Sequence, residues 1–155
     1  TGTLQSHFNS TVPTNQVFTV GHPSNNNSGD TCRDSNSYVA YCFTSVEGYS
    51  AFGSYSGSSG LPFIYTGFKP AWLMVRRSDT ANSWIISDNA RNPYNVVNKN
   101  LLANASDQDN TNAGFFDFLS NGFKLRNTDG GVNASDGTYI YMAFAELPFS
   151  YARGI

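Results

Sequence analysis

One segment constrains this chain more than any other: Thr138-Tyr-Ile-Tyr-Met-Ala-Phe-Ala-Glu146. In an extended strand Tyr139, Tyr141, Ala143 and Ala145 share one face, while Ile140, Met142 and Phe144 share the other. Both faces are apolar, so the segment is read as a central strand covered on both sides. Ser37-Tyr-Val-Ala-Tyr-Cys-Phe-Thr44 has the same pattern and is read the same way. Further strands are expected at 17–20, 49–55, 62–68, 72–77, 84–88, 115–118 and 123–126. Turn clusters separate them, among them Ser56-Gly-Ser-Ser-Gly60, Asn121-Gly122 and Asp129-Gly-Gly131. No stretch sustains a helical period. About nine short strands with frequent turns predict an all-β domain, a β-sandwich or jelly roll.

Composition supports that class and narrows the function. Only 13% of the 155 residues are charged, about half the usual share, and the formal net charge is −2. Solubility rests instead on neutral side chains, including 18 Asn and 19 Ser, which favour turns over helices. The longest basic run is Arg76-Arg77. That gives no field to neutralise phosphates, so nucleic acid is not an expected partner. No apolar run approaches the ~18 residues that would span a bilayer, and membrane insertion is not expected.

The chain repeats part of itself. Tyr38, Val39 and Phe43 match Tyr139, Ile140 and Phe144 at a spacing of 101, and Phe18 matches Phe123 at 105. A period near 100 is too long for a solenoid and suits a whole sandwich unit. Residues 1–48 are therefore read as the closing strands of one unit, and 49–155 as a complete second unit.

Residues 88–109 lack strand pattern and are read as a long loop, where function usually sits. Asp88, Asn89, Arg91, Asn92, Tyr94 and Asn95 place an aromatic ring, a guanidinium and several amides on that loop, and Trp84 opens the strand feeding it. Sugar recognition uses that mixture: ring faces against C–H surfaces, amides and carboxylates for hydroxyls. Trp72 and Trp84 also have a plainer reading, as core residues opening strands. Asp107, Asp109 and Asn110 offer alternating oxygens for a Ca²⁺ ion, although their spacing matches no EF-hand. Cys32 and Cys42 can close a short disulfide loop in an oxidising compartment; alternatively Cys42 is a small buried strand residue.

Catalysis finds little support. The two glutamates, Glu47 and Glu146, each follow a strand reading as central, and no facing carboxylate pair of the kind glycoside hydrolysis needs is evident. His7 and His22 lie in polar contexts with no nucleophile elbow. The domain is expected not to be an enzyme.

Four segments carry a family resemblance: 52–57 (FGSYSG), 65–76 (YTGFKPAWLMVR), 118–125 (FLSNGFKL) and 139–146 (YIYMAFAE). In order and spacing they resemble a repeated β-domain of phage virion proteins, tail-fibre-like proteins among them, notably of phages infecting marine cyanobacteria. The resemblance covers nearly the whole chain. It implies a concanavalin-like or jelly-roll sandwich, a virion location outside the cell, and partners that are other virion proteins, copies of itself or host-surface glycans. It brings no established catalytic or binding residues. Thr44-Ser45 stands where Ala145-Glu146 would lead one to expect Ala-Glu, which leaves a shared role for that glutamate in doubt.

Overall fold

The computed structural model describes residues 11–20, 37–107, 109 and 114–148. The chain divides into two units, 1–43 and 44–155. The boundary falls a few residues before the one expected at 48, because residues 44–46 are tied to the start of the second unit. Val46 bridges Ser50, and the Ser50 hydroxyl donates to the Thr44 carbonyl at 2.9 Å.

In the first unit, residues 37–43 form no strand, and Val39 and Tyr41 are 77% and 80% exposed. The strand expected at 37–44 is therefore absent, as is the one at 17–20. Cys42 is exposed with a free thiol rather than buried, and Cys32 lies outside the described residues. A strand apolar on both faces is made by its neighbours. In the second unit the matching strand draws its partners from two segments more than sixty residues upstream.

The described part of the second unit is all-β. Its strands are β1 (Ser50–Ser56), β2 (Phe63–Tyr65), β3 (Pro70–Arg77), β4 (Ile85–Asp88), β5 (Asn100–Leu102), β6 (Phe116–Leu119), β7 (Gly122–Leu125) and β8 (Thr138–Ala145). They form two antiparallel sheets, ordered β1-β8-β3-β4-β5 and β2-β7-β6. No described residue is helical. β8 lies between β1 and β3, the central position its sequence predicts.

The two sheets share one core. Leu73, Val75, Ile85, Tyr139 and Ala143 of the larger sheet and Phe116, Phe118, Phe123 and Leu125 of the smaller belong to one buried cluster. Phe123 meets Tyr55 and Tyr141 edge-on, with ring centroids 6.1 and 5.4 Å apart. Burying such rings is the main source of stability, at roughly 25 cal/mol per Å² of apolar surface. Gly53 pairs with Tyr141 across β1 and β8, and a Cβ there would sit 2.8 Å from the tyrosine ring.

The interior polar bonds are made by neutral groups. Tyr55 and Tyr139 stack at 5.0 Å; their hydroxyls donate to the Val132 and Gly130 carbonyls at 2.7 and 2.9 Å. Burial, then the neighbouring Tyr139, pushes the Tyr55 hydroxyl well above the usual tyrosine range, so it stays a donor. Asn133, fully buried, accepts from the Ser58 N–H at 2.9 Å and donates to the Ser58 and Asn127 carbonyls at 2.9 and 2.8 Å. Together these side chains hold the loop between β7 and β8. Gly57 lets that loop close in, since a Cβ would lie 2.0 Å from the Ala134 carbonyl oxygen.

Candidate binding surface

The loop after β4 is held by its own side chains. At its start Asp88 and Arg91 form an ion pair, and Arg91 Nε donates to Asp88 Oδ2 at 2.7 Å. The Arg91 backbone N–H donates to Asp88 Oδ1 at 2.8 Å, and Arg91 Nη1 reaches Asp109 at 2.9 Å. Partial burial pushes the Asp88 carboxyl up, but the hydrogen bonds and charge of Arg91 outweigh it and hold it below the usual aspartate range. Burial likewise disfavours the charged Arg91, and the two carboxylates more than offset it.

The amides are similarly engaged. Asn92 Oδ1 accepts from the Lys99 N–H at 2.7 Å, and its Nδ2 donates to Asn98. Asn95 substitutes for a strand: Oδ1 accepts from the Phe118 N–H at 2.8 Å and Nδ2 donates to the Phe118 carbonyl at 3.0 Å. Asn89 donates to Glu146, which is paired with Lys69. Of the residues expected to meet a sugar, Tyr94 is 82% exposed and free to do so. Asp88, Arg91, Asn92 and Asn95 instead spend their polar groups on the loop itself. Asp109 is committed to Arg91, Asp107 is exposed, and Asn110 lies outside the described residues. Among the described residues no three His, Cys, Asp or Glu side chains converge as a metal set.

The structure draws attention instead to the outward face of the larger sheet. Strand register places Phe52, Met142, Met74, Ile86 and Leu101 in one row crossing β1, β8, β3, β4 and β5. With neighbouring strands ~4.8 Å apart, such a row is ~19 Å long. All five side chains remain partly exposed, and none belongs to the shared core. On one side of the row Phe144 and Trp72 pair across β8 and β3, their rings 5.7 Å apart; Phe52 and Tyr49 meet Phe144 edge-on. On the other side lies Ile140, 39% exposed. The expectation that β8 is covered on both faces is therefore only half met.

Trp72 and Trp84 are part-exposed, contrary to their reading as core residues. Alternation decides this, because Leu73 and Val75 take the inward positions of β3. Trp84 instead lies under the Arg76 guanidinium, 4.9 Å from its ring centre. Beside the face Lys69 pairs with Glu146 and Asp88 with Arg91.

Residues 1–148 match the model of a domain of unknown function, DUF7483. The chain belongs to that family. The DUF7483 match runs through both units. No curated protein and no solved structure matches the chain. The face was hard to foresee because it depends on five strands in register. Its members come from five separate segments, and in β4 and β5 the runs are only four and three residues long.

Proposed function

We propose that this DUF7483 domain is a non-catalytic building block of an extracellular assembly, of the kind found in phage virions and tail fibres. It works by docking its outward sheet face on a second copy. The two sheets are best understood as a β-sandwich of the jelly-roll, concanavalin-like class. One observation carries the reading: the partly exposed apolar row Phe52–Met142–Met74–Ile86–Leu101, flanked by Trp72 and Phe144.

Same-face residues along a strand are ~6.8 Å apart, so Phe144 and Trp72 on one side and Ile140 on the other widen the row into an apolar band, bounded in those flanking rows by Ser54, Arg76 and Asp88. Aromatic and methionine side chains are the residues that interface centres favour. A second copy is the favoured occupant for two reasons. The charges beside the face are of both signs, Lys69 with Glu146 and Asp88 with Arg91, which gives no extended field of one sign to select an oppositely charged partner. The internal repeat supplies neighbours with the same strand pattern, Tyr38 to Phe43 echoing Tyr139 to Phe144.

Sedimentation velocity across a concentration series tests this directly. The wild-type domain is expected to form a reversible oligomer, and Met74→Lys and Ile86→Lys to sediment as monomers with little change in melting temperature. A monomer at every concentration, or oligomers unaffected by both lysines, would overturn the proposal.

A further inference from the structure

The inward side of the same sheet ends in a cleft with a different chemistry. It lies at the β4–β5 edge, against the 82–83 loop and the 129–131 turn, and encloses about 370 Å³. Ile85, Leu102 and Phe115 form an apolar floor; Asn82, Ser83 and Asp129 stand around it. Gly131 permits this arrangement, since a Cβ there would lie 2.9 Å from the end of Ile85 and 3.1 Å from Asp129 Oδ1.

The polar groups are fixed from behind. Asp129 Oδ1 accepts from the Gly131 N–H at 2.8 Å, while Oδ2 takes no hydrogen bond among the described residues. Asn82 Oδ1 accepts from the Ser83 N–H at 2.8 Å, and Nδ2 reaches the Gly130 carbonyl at a weak 3.4 Å. The Ser83 hydroxyl has only a 3.5 Å contact, from Asn104. The cleft thus presents one carboxylate oxygen, one weakly held amide and one hydroxyl around an apolar floor.

We infer that this cleft binds a single ring of a neutral saccharide. Its volume lies at the small end of ligand sites, suited to one sugar ring. A carboxylate oxygen accepts from hydroxyls, the Asn82 amide donates, and the Ser83 hydroxyl does either. The floor of Ile85, Leu102 and Phe115 receives the C–H surface that a sugar ring presents. No basic side chain lines the cleft among the described residues, so an anionic ligand would face Asp129 uncompensated. A hard cation would want six to eight oxygens, and it gains nothing from an apolar floor. The cleft opens on the side of the sheet opposite Ile86 and Leu101, so the inference holds whether or not the outward face docks.

The test is a ¹⁵N NMR titration of the full 155-residue chain with glucose, galactose, mannose and N-acetylglucosamine separately, and with CaCl₂ and lysine methyl ester as the other arms. At least one neutral sugar is expected to give saturable shifts confined to Ser83, Gly130, Gly131 and the Asn82 side chain, with Kd on the order of 1 mM. Asp129→Asn keeps an oxygen for the Gly131 N–H but removes the charge; it should weaken binding roughly tenfold or more. Gly130→Tyr adds a side chain where a Cβ meets nothing within 4 Å, so it should obstruct the cleft while the fold persists. Absence of saturable shifts with all four sugars overturns the inference. So does a response to calcium or to the amine alone, or sugar binding that survives both variants.

Discussion

Replacing Asn133 with alanine is expected to destabilise the second unit by about 2–4 kcal/mol. The side chain is fully buried and makes three hydrogen bonds, two to Ser58 and one to Asn127, at 2.8 to 2.9 Å. Each is worth about 1 kcal/mol net. Ser58 is exposed, so water can recover part of the loss there; Asn127 is half-buried and recovers less. The space left by the amide adds a cavity cost of the order of 1 kcal/mol. Urea unfolding followed by tryptophan fluorescence should show a lower midpoint with an unchanged slope. For a domain of this size the melting temperature should fall by roughly 5–15 °C. Asn133→Asp sharpens the test. Its carboxylate still accepts from the Ser58 N–H but faces two carbonyls that have lost their donor. That variant should be weaker at pH 7 than alanine, and should recover as the pH falls and the carboxyl regains a proton. A loss below about 1 kcal/mol for alanine, or a pH-independent aspartate variant, would refute the account of the clasp.

Two further outcomes follow from the loop after β4. Asn95→Ala should cost about 1–2 kcal/mol, because both of its bonds to the Phe118 backbone are lost, whereas Tyr94→Ala should lie within about 0.5 kcal/mol of wild type. Urea titrations of the two variants compare them, and equal effects would contradict the division of roles. Asp88 should titrate below the ~3.9 of an unfolded aspartate. A depressed carboxyl stabilises the folded state above that value, and the contribution disappears as pH falls through the folded pKa. Carboxyl ¹³C NMR should show this low midpoint, and Arg91→Gln should raise it.

How much of this was legible in the residues varies by element. β8 and β3 were readable because each contains a long, nearly unbroken run of apolar residues. β5 was not: Asn100-Leu-Leu102 is three residues long inside a polar stretch, and it pairs only because β4 runs beside it. The segment at 37–44 shows the converse. Its pattern equals that of β8, yet residues 37–43 form no strand. The polar loop misled for a related reason. Asparagines that clasp backbone and asparagines that await a ligand have the same composition, and Asn92 and Asn95 belong to the first kind. The outward face and the cleft each join residues from distant segments, so no local window contains either.

The neutral wiring of the interior has a consequence for where such a domain can work. Asn133, Asn95, the Ser87–Asn100 pair and the tyrosines at 55 and 139 carry internal polar bonds between uncharged groups. Bonds between uncharged partners are also insensitive to the salt that screens ion pairs. Ion pairs such as Asp88 with Arg91 respond to the medium. A chain wired in this way keeps the same interior bonds in brine and in fresh water.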